Sequence, residues 1–152
     1  MKTEIKVIDA MTKNPVMVGP ETSISECARI MSERKVGSLL ITEGKNLLGV
    51  IKERDIVRSV VLENKNAEKE LVKDFMITDV ITTTPNEDIY DAIVTMRDMD
   101  IRMLPVMHNG ELTGLLTAKD ILKVQPSLFD LLAEKLILRE EDEKPIFKRR
   151  DY

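Results

Sequence analysis

The stretch GLLTAKD, residues 114–120, ends a run that reads as a β-strand and leads into a short amphipathic segment, ILKV. Thr117 and Asp120 have the spacing of a helix-capping box, although glutamate is the usual reciprocal partner. The same two residues offer a hydroxyl and a carboxylate to a ligand. The stretch taken alone leaves both interpretations open.

A related stretch, GVIKERD, occupies residues 49–55 and belongs to a repeat that spans most of the chain. Shifting the sequence by 65 residues without gaps aligns identical residues in a constant order. The aligned identities include Val7 with Val72, Met11 with Met76, Pro20 with Pro85, Ile24 with Ile89, Met31 with Met96, Leu39 with Leu104, Gly49 with Gly114 and Asp55 with Asp120. We therefore predict two related repeats, residues 7–62 and 72–124.

Each repeat has the pattern β-α-β-β-α. A short apolar run at 16–18 or 81–83 precedes a helix, for which Ser23 or Asp88 is the predicted N-cap. One helical face is formed by Ile24, Cys27, Ala28 and Met31 in the first repeat and by Ile89, Ala92, Ile93 and Met96 in the second. Two strand-like runs then predict a hairpin, and a last helix begins near Glu53 or Ala118.

A repeat of about 55 residues buries little surface alone, so the two repeats are expected to pack together. The predicted fold is α+β, with pseudo-two-fold symmetry between the repeats and a C-terminal helix. Two related clefts form at such a joint, where ligand sites are common.

The composition argues against several classes of function. The chain has 152 residues, of which 43% are hydrophobic, and a net charge of −4, which argues against a nucleic-acid partner. It has no run of about 18 apolar residues, so no membrane span is expected. Its first residues lack the pattern of a signal peptide. A single cysteine excludes an internal disulfide and favours a cytoplasmic setting.

Catalytic and metal-binding groups are sparse. His108, the only histidine, lies in an HNG turn, where an exposed side chain is expected. Cys27 occupies a helical core position with no histidine suggested as its base, which favours a buried structural thiol. We therefore expect no enzymatic activity, no catalytic residue and no metal site.

The chain resembles a tandem pair of cystathionine β-synthase (CBS) domains, a Bateman module, over about residues 7–124. The first repeat carries the resemblance in DAMTKNPVMVGPETSI, VGSLLI and GVIKERDIV, and the second in DFMITDVITTTPNEDI, IRMLPV and GLLTAKDIL. The resemblance implies a regulatory module that binds an adenosyl ligand, such as AMP, ADP, ATP, S-adenosylmethionine or NAD, in the clefts between the repeats. It also implies a homodimer that alters the activity of a partner protein, with no cofactor required. The alternative is a ligand-independent adaptor that dimerises and docks a partner.

The family's signature ends in Gly-x-x-Thr/Ser-x-x-Asp, matched here by Gly114, Thr117 and Asp120, whereas Lys52 replaces the hydroxyl residue before Asp55. A carboxylate suits the two hydroxyls of a ribose, and a helix start suits phosphate. Because Asp55 persists where a lysine cannot act as the capping partner, a ligand role for the aspartates is favoured over a pure cap. Both roles can coexist.

The resemblance further implies that each cleft joins the aspartate of one repeat to the early strand segment of the other. The ligand-binding candidates of the Asp120 cleft are Thr117, Asp120, Lys119, Thr12, Asn14, Pro15, Val16 and Met17, and those of the Asp55 cleft are Lys52, Arg54, Asp55, Thr78, Val80 and Ile81. Val16 or Ile81 would pack on the adenine, and the base pocket would be lined by Met103, Leu104 and Pro105.

The cations near the two clefts have open roles. Arg102 reaches a phosphate or is an exposed surface cation, and Arg54 and Lys119 are similar phosphate candidates. Lys52 either fills its cleft or attracts additional phosphate charge. Two unequal sites are expected, with the Asp120 site the stronger candidate.

Residues 126–140 predict an amphipathic helix that begins at Pro126. Its apolar face holds Leu128, Leu131, Leu132, Leu136 and Ile137. The helix packs on its own module, in a dimer or on a partner, and the sequence leaves these options open. Residues 141–152 are predicted to form a charged tail.

Overall fold

Two antiparallel hairpins related by the 65-residue repeat lie at the centre of the fold, as a computed structural model of residues 2–133 shows. In the first hairpin β2 (Ser38–Glu43) pairs with β3 (Asn46–Lys52), and in the second β4 (Met103–His108) pairs with β5 (Glu111–Thr117). The predicted HNG turn is confirmed, because Asn109 and Gly110 both have positive φ, 51° and 78°.

The predicted apolar runs before the first helices form less strand than expected. β1 (Met17–Val18) joins the first hairpin parallel to β2. At the equivalent place in the second repeat, Thr83 makes a single parallel bridge to Val106.

One long helix covers a face of each hairpin. α2 (Ile24–Arg34) begins after Ser23, whose hydroxyl accepts the Glu26 N–H at 3.1 Å. α4 (Ile89–Met99) begins after Asp88, whose carboxylate accepts the Tyr90 N–H at 2.8 Å. Both predicted N-caps are therefore confirmed.

The core faces of these helices match the predicted pattern at every position except one. Ala28 is exposed, whereas Ile93 at the equivalent position of α4 is fully buried. The apolar face of α2 is therefore narrower than that of α4.

The last helix of each repeat begins where the sequence predicts. α3 (Glu53–Ile56) continues into a π-helical turn, Val57–Val61, whereas α5 (Ala118–Val124) is α-helical throughout.

The leading segment of each repeat packs in the core of the other repeat. Val7, in α1 (Val7–Ala10), is fully buried beside Ile89, Leu104 and Ile121 of the second repeat. Val72, in the 3-10 turn Val72–Asp74, is buried with the core residues of the first repeat. This exchange means that neither hydrophobic core is complete without residues of the other repeat.

The C-terminal extension packs on the second core as far as it is described. It begins with a 3-10 turn, Pro126–Leu128, and is helical over 129–133. Leu128 is buried, and Leu131 and Leu132 pack half-buried against the same core. Leu136, Ile137 and the predicted tail at 141–152 lie outside the described residues. No helix within residues 2–133 is long and apolar enough to cross a membrane.

Candidate functional site

Two backbone bridges fix where the repeats meet. Thr12 exchanges hydrogen bonds of 2.8 and 2.9 Å with Leu115, and Ile77 exchanges bonds of 2.8 and 2.9 Å with Val50. Thr12 and Ile77 are related by the repeat, as are Leu115 and Val50. The early segment of each repeat therefore crosses the strand that leads to the other repeat's aspartate, as the resemblance implied.

Gly49 and Gly114 permit this close crossing. A Cβ atom at Gly114 would lie 2.7 Å from Met11 Sδ and 2.8 Å from the Thr12 carbonyl oxygen. A Cβ atom at Gly49 would lie 2.7 Å from the Ile77 carbonyl oxygen. The glycine of each motif is thus required by the approach of another backbone segment.

Asp120 forms a complete capping box with Thr117. Its Oδ2 accepts the Thr117 N–H at 2.9 Å, and its own N–H donates to Thr117 Oγ1 at 3.2 Å. The capping interpretation of GLLTAKD is therefore confirmed.

Asp55 forms half of the same box. Its Oδ2 accepts the Lys52 N–H at 2.8 Å, whereas the Lys52 ammonium has no acceptor to offer in return. The expectation that a lysine at this position would leave the aspartate without a capping role is wrong, because the backbone N–H of any residue except proline serves as the donor.

Capping occupies one oxygen of each carboxylate. Within residues 2–133 no hydrogen bond reaches Oδ1 of Asp55 or Asp120, and both residues are half-buried. The second oxygen of each carboxylate is therefore able to accept a hydrogen bond from a ligand while its orientation stays fixed by the cap.

A cleft of about 370 Å³ lies on the Asp55 side of the joint. The structure brings together five of the predicted residues in its walls, namely Lys52, Arg54, Val80, Ile81 and Met103. Its other lining residues are Val50, Ile77, Asp79, Met99, Asp100 and Ile101. Asp55 and Thr78, also predicted for this cleft, are not among its lining residues, and Thr78 is exposed.

A second space of about 460 Å³, which we call the axial groove, lies on the pseudo-two-fold axis. Ser38 Oγ lies 3.0 Å from Met103 Sδ, and these two residues are related by the repeat. The groove is lined by Gly37, Ser38, Lys52, Glu53, Arg54, Asp100, Ile101, Arg102, Met103 and Thr117. Arg102 therefore faces a cavity between the repeats.

The Asp120 side is bounded by the segment from Thr12 to Met17. The Leu40 N–H approaches the Val16 carbonyl oxygen at 3.4 Å, which extends the segment from the second repeat to the first sheet. Asn14 and Met17 are exposed, whereas Pro15 and Val16 are half-buried.

Three further candidates, Leu104, Pro105 and Lys119, differ in their surroundings. The Leu104 side chain is fully buried in the second core, because successive residues of β4 face opposite sides of the sheet, so it cannot line a base pocket. Pro105 lies on the same side of β4 as Met103 and is buried. Lys119 lines an apolar pocket of about 330 Å³ with Leu122, Phe129 and Leu132, and this pocket shares Arg102 and Thr117 with the axial groove.

The charged and nucleophilic groups differ in their environments. Burial lowers the pKa of the Lys52 ammonium and the nearby Arg54 lowers it further, while Asp55 and Asp100 partly oppose the change. Burial raises the pKa of the Cys27 thiol to about 11. Among the described residues, no cluster of three or more His, Cys, Asp or Glu side chains is arranged to hold a metal ion.

The structure adds residues that the sequence reasoning missed. Gly37 and Ser38 line the axial groove and stand 65 residues before Arg102 and Met103, so the repeat itself contained a signal for them. Asp79 and Asp100 also line the Asp55 cleft; Asp79 stands 65 residues after the candidate Asn14, whereas no motif in the sequence singles out Asp100.

Comparisons with known proteins agree with this architecture. A CBS domain family model matches residues 6–62 and 72–127. An uncharacterized protein of Methanopyrus kandleri is 36% identical over 135 residues, which cover 88% of this chain and 66% of that protein. An inosine-5'-monophosphate dehydrogenase of Korarchaeum cryptofilum is 36% identical over 72% of this chain but only 22% of the enzyme. The chain thus spans less than two thirds of the length of both relatives.

Solved structures of similar proteins contain adenosyl ligands. CBS domain protein PAE2072 from Pyrobaculum aerophilum, complexed with AMP, has a TM-score of 0.73 and 26% identity, with 85% of this chain and 99% of that chain covered. The CBS domain pair of protein MJ0100, in complex with 5'-methylthioadenosine and S-adenosyl-L-methionine, has a TM-score of 0.70 and 25% identity, with 81% and 97% covered. Since the family model matches both repeats in the order that the fold requires, the chain belongs to the CBS domain family.

Proposed function

We propose that the protein is a regulatory module that binds an adenine nucleotide or another adenosyl ligand in the clefts between its two CBS repeats. One observation carries the proposal. Each helix-start aspartate uses one carboxylate oxygen for its cap and keeps the other, and the strand that leads to it is crossed by a backbone segment of the opposite repeat. The similar structures with AMP and with S-adenosyl-L-methionine support the ligand class.

The chemistry of a nucleoside suits these surroundings. The ribose hydroxyls donate to the uncapped carboxylate oxygen, and the cap bond holds that carboxylate in place before the ligand arrives. The Thr117 hydroxyl accepts the Asp120 N–H, so its own proton is left to donate to a phosphate. Backbone groups of residues 12–17 would read the edge of the adenine, and Val16 would pack on its face.

The Asp55 side offers a related but different set of contacts. Val80, Ile81 and Met103 supply apolar walls for a base, while Lys52 and Arg54 supply positive charge in place of the threonine hydroxyl. Arg102 approaches from the axial groove. We propose two unequal sites, of which the Asp120 site has the full family motif.

Regulation would follow from the position of the clefts. A ligand that contacts both repeats stabilises one relative arrangement of them, and a homodimer would pass this change to a partner protein. Val57 and Val61 support an interface, because they lie four residues apart on one helical face and are 56% and 63% exposed. Their exposure equally favours the second candidate function, an adaptor that dimerises and docks its partner without a ligand.

We propose that the module binds its ligand without catalysis. The Cys27 thiol is buried with its pKa raised to about 11, so it is protonated at neutral pH and is not a nucleophile.

Thermal melts with AMP, ADP, ATP, S-adenosylmethionine and 5'-methylthioadenosine test the proposal. A ligand at 100 times its Kd should stabilise the protein by about 2.7 kcal/mol, which raises the Tm by several degrees. Asp120→Ala should remove most of this rise. No rise with any of the five at millimolar concentration, in a protein that still dimerises, would contradict ligand sensing and favour the adaptor.

Asp9→Ala is the matched control for the loss of a cap. Asp9 Oδ2 accepts the Lys6 N–H at 3.1 Å at the start of α1, in the same geometry as Asp120 but on an exposed surface. This variant should melt lower and keep the full ligand response. If Asp120→Ala behaves in the same way, the aspartate is only a cap.

A further inference from the structure

The axial groove joins the two halves of the proposed site. Three pairs of its lining residues are related by the repeat, namely Gly37 with Arg102, Ser38 with Met103, and Lys52 with Thr117. Because the groove contains the hydroxyl position of the motif from both repeats, Lys52 and Thr117, ligands in the two clefts would extend toward the same space.

The groove is also continuous with the Asp55 cleft. Both spaces are lined by Lys52, Arg54, Asp100, Ile101 and Met103. A nucleoside bound in the cleft of about 370 Å³ would therefore direct its phosphates into the groove of about 460 Å³. Both volumes fall in the range of small-molecule sites, roughly 300–1,000 Å³.

The charges around the groove favour an anion. Its cations are Lys52, Arg54 and Arg102, and its acidic residues are Glu53 and Asp100. Asp100 already takes part in a polar or electrostatic interaction. Within residues 2–133 no salt bridge involves any of the three cations. These cations therefore have charge and hydrogen-bond donors to offer a ligand.

Lys52 is the residue that shifts the charge around the groove toward positive. Its repeat partner Thr117 is neutral, so the lysine adds one positive charge at the point where the cleft meets the groove. Burial is the main cause that lowers the pKa of Lys52, and the nearby Arg54 lowers it further against the opposing effects of Asp55 and Asp100; a bound anion would offset the repulsion from Arg54.

We propose that the axial groove is a single polyphosphate compartment shared by both clefts, so that the chain binds one nucleoside di- or triphosphate at a time and prefers it to a monophosphate. This inference rests on the proposed function for the nucleoside. It adds the number of phosphates and the stoichiometry. Two polyphosphates cannot bind at the same time, because their negative charges would repel each other within one groove.

Isothermal titration with inorganic tripolyphosphate tests the groove independently of any nucleoside. We expect one tripolyphosphate per chain, and a loss of about 10-fold in affinity for Lys52→Thr, the size of one charge-assisted hydrogen bond. Lys69→Thr removes an exposed lysine outside the groove and should leave the affinity unchanged within about twofold. No binding, two equal sites per chain, or equal losses in the two variants would overturn the proposal.

Titration with ATP and AMP then tests the ligand class. ATP should bind more tightly than AMP and should compete with tripolyphosphate, and Lys52→Thr should reduce the ratio of ATP to AMP affinity by about 10-fold. An unchanged ratio, or ATP that binds together with tripolyphosphate, would refute the shared compartment even if both nucleotides bind.

The two proposals fail in different ways. If tripolyphosphate binds as expected but no adenosyl compound binds, the groove stands and the nucleoside assignment falls. If adenosyl compounds bind but tripolyphosphate does not, the proposed function stands and the polyphosphate compartment falls.

Discussion

The two clefts share one backbone design and differ in the side chains at their rims. In both, a glycine admits the crossing segment and an aspartate caps the helix that follows. At the rims, however, Lys52 stands in place of Thr117, and Gly37 in place of Arg102. The repeat thus preserves what the fold requires and varies what would contact a ligand, so each part of the comparison can be tested by substitution.

The largest effect is expected at the shared glycines. Gly114→Ala and Gly49→Ala would each place a Cβ atom under 3.0 Å from a backbone carbonyl oxygen, which cannot move without displacing the crossing segment. We expect each to lower the free energy of unfolding by about 3 kcal/mol, measured by urea denaturation.

Gly19→Ala is the control for these two variants, because a Cβ atom there would meet nothing within 4 Å. It should change the free energy of unfolding by less than about 0.5 kcal/mol. If only one of the cleft glycines proves sensitive, the two crossings are not equivalent in solution.

We expect a smaller loss of stability at the helix caps, and the loss should differ between Asp88 and Ser23. Asp88 is buried and accepts hydrogen bonds from the N–H groups of Thr3, Glu4 and Tyr90 and from the Thr3 hydroxyl, whereas Ser23 accepts only the Glu26 N–H among residues 2–133. Asp88→Ala should therefore cost about 2 kcal/mol of stability and Ser23→Ala about 1 kcal/mol. Equal losses in urea denaturation would mean that the segment at Thr3 and Glu4 adds nothing.

The charge of Asp88 predicts a pH dependence that Ser23 cannot supply. Burial tends to raise the pKa of the Asp88 carboxyl, but the hydrogen bonds from Tyr90, Thr3 and Glu4 outweigh it and hold the pKa below its ordinary value of 3.8. Because the folded pKa is depressed, this stabilisation is present above pH 3.8 and is lost as the pH falls through the folded value.

The variant Asp88→Asn separates the effect of the Asp88 charge from the effects of the other carboxyl groups. The difference in Tm between the natural protein and this variant should be constant at neutral pH and should shrink below pH 3.8. A difference that persists unchanged at lower pH would show that the charge of Asp88 contributes no stability.

The sequence was informative wherever a feature recurs in both repeats. The hairpins, the N-caps at Ser23 and Asp88 and the crossing of residues 12 and 77 all follow from the repeat combined with periodicity or the family resemblance. The burial of Leu104 follows from strand alternation, because Met103 and Leu104 must face opposite sides of β4 and only one of them can line the cleft.

Other features depend on tertiary contacts that no local pattern records. The packing of Val7 in the second core and of Val72 in the first requires knowledge of how the repeats cross. The same is true of Asp100, which reaches the Asp55 cleft from a segment distant in sequence from Lys52.

The smallest effect is expected at the position that distinguishes the two motifs. Lys52→Thr supplies the hydroxyl that would complete the capping box, since Asp55 already accepts the N–H of residue 52. It also removes an ammonium whose pKa is lowered by burial and by Arg54, and thus a charge that the fold disfavours. The variant should gain about 0.5–1 kcal/mol in the free energy of unfolding by urea denaturation. The reciprocal Thr117→Lys should lose a similar amount, because it breaks the complete box at Asp120.

A gain in stability together with weaker tripolyphosphate binding would indicate that the lysine serves ligand binding at the expense of the helix cap. A loss of stability would mean instead that Lys52 packs as a structural part of the cleft wall.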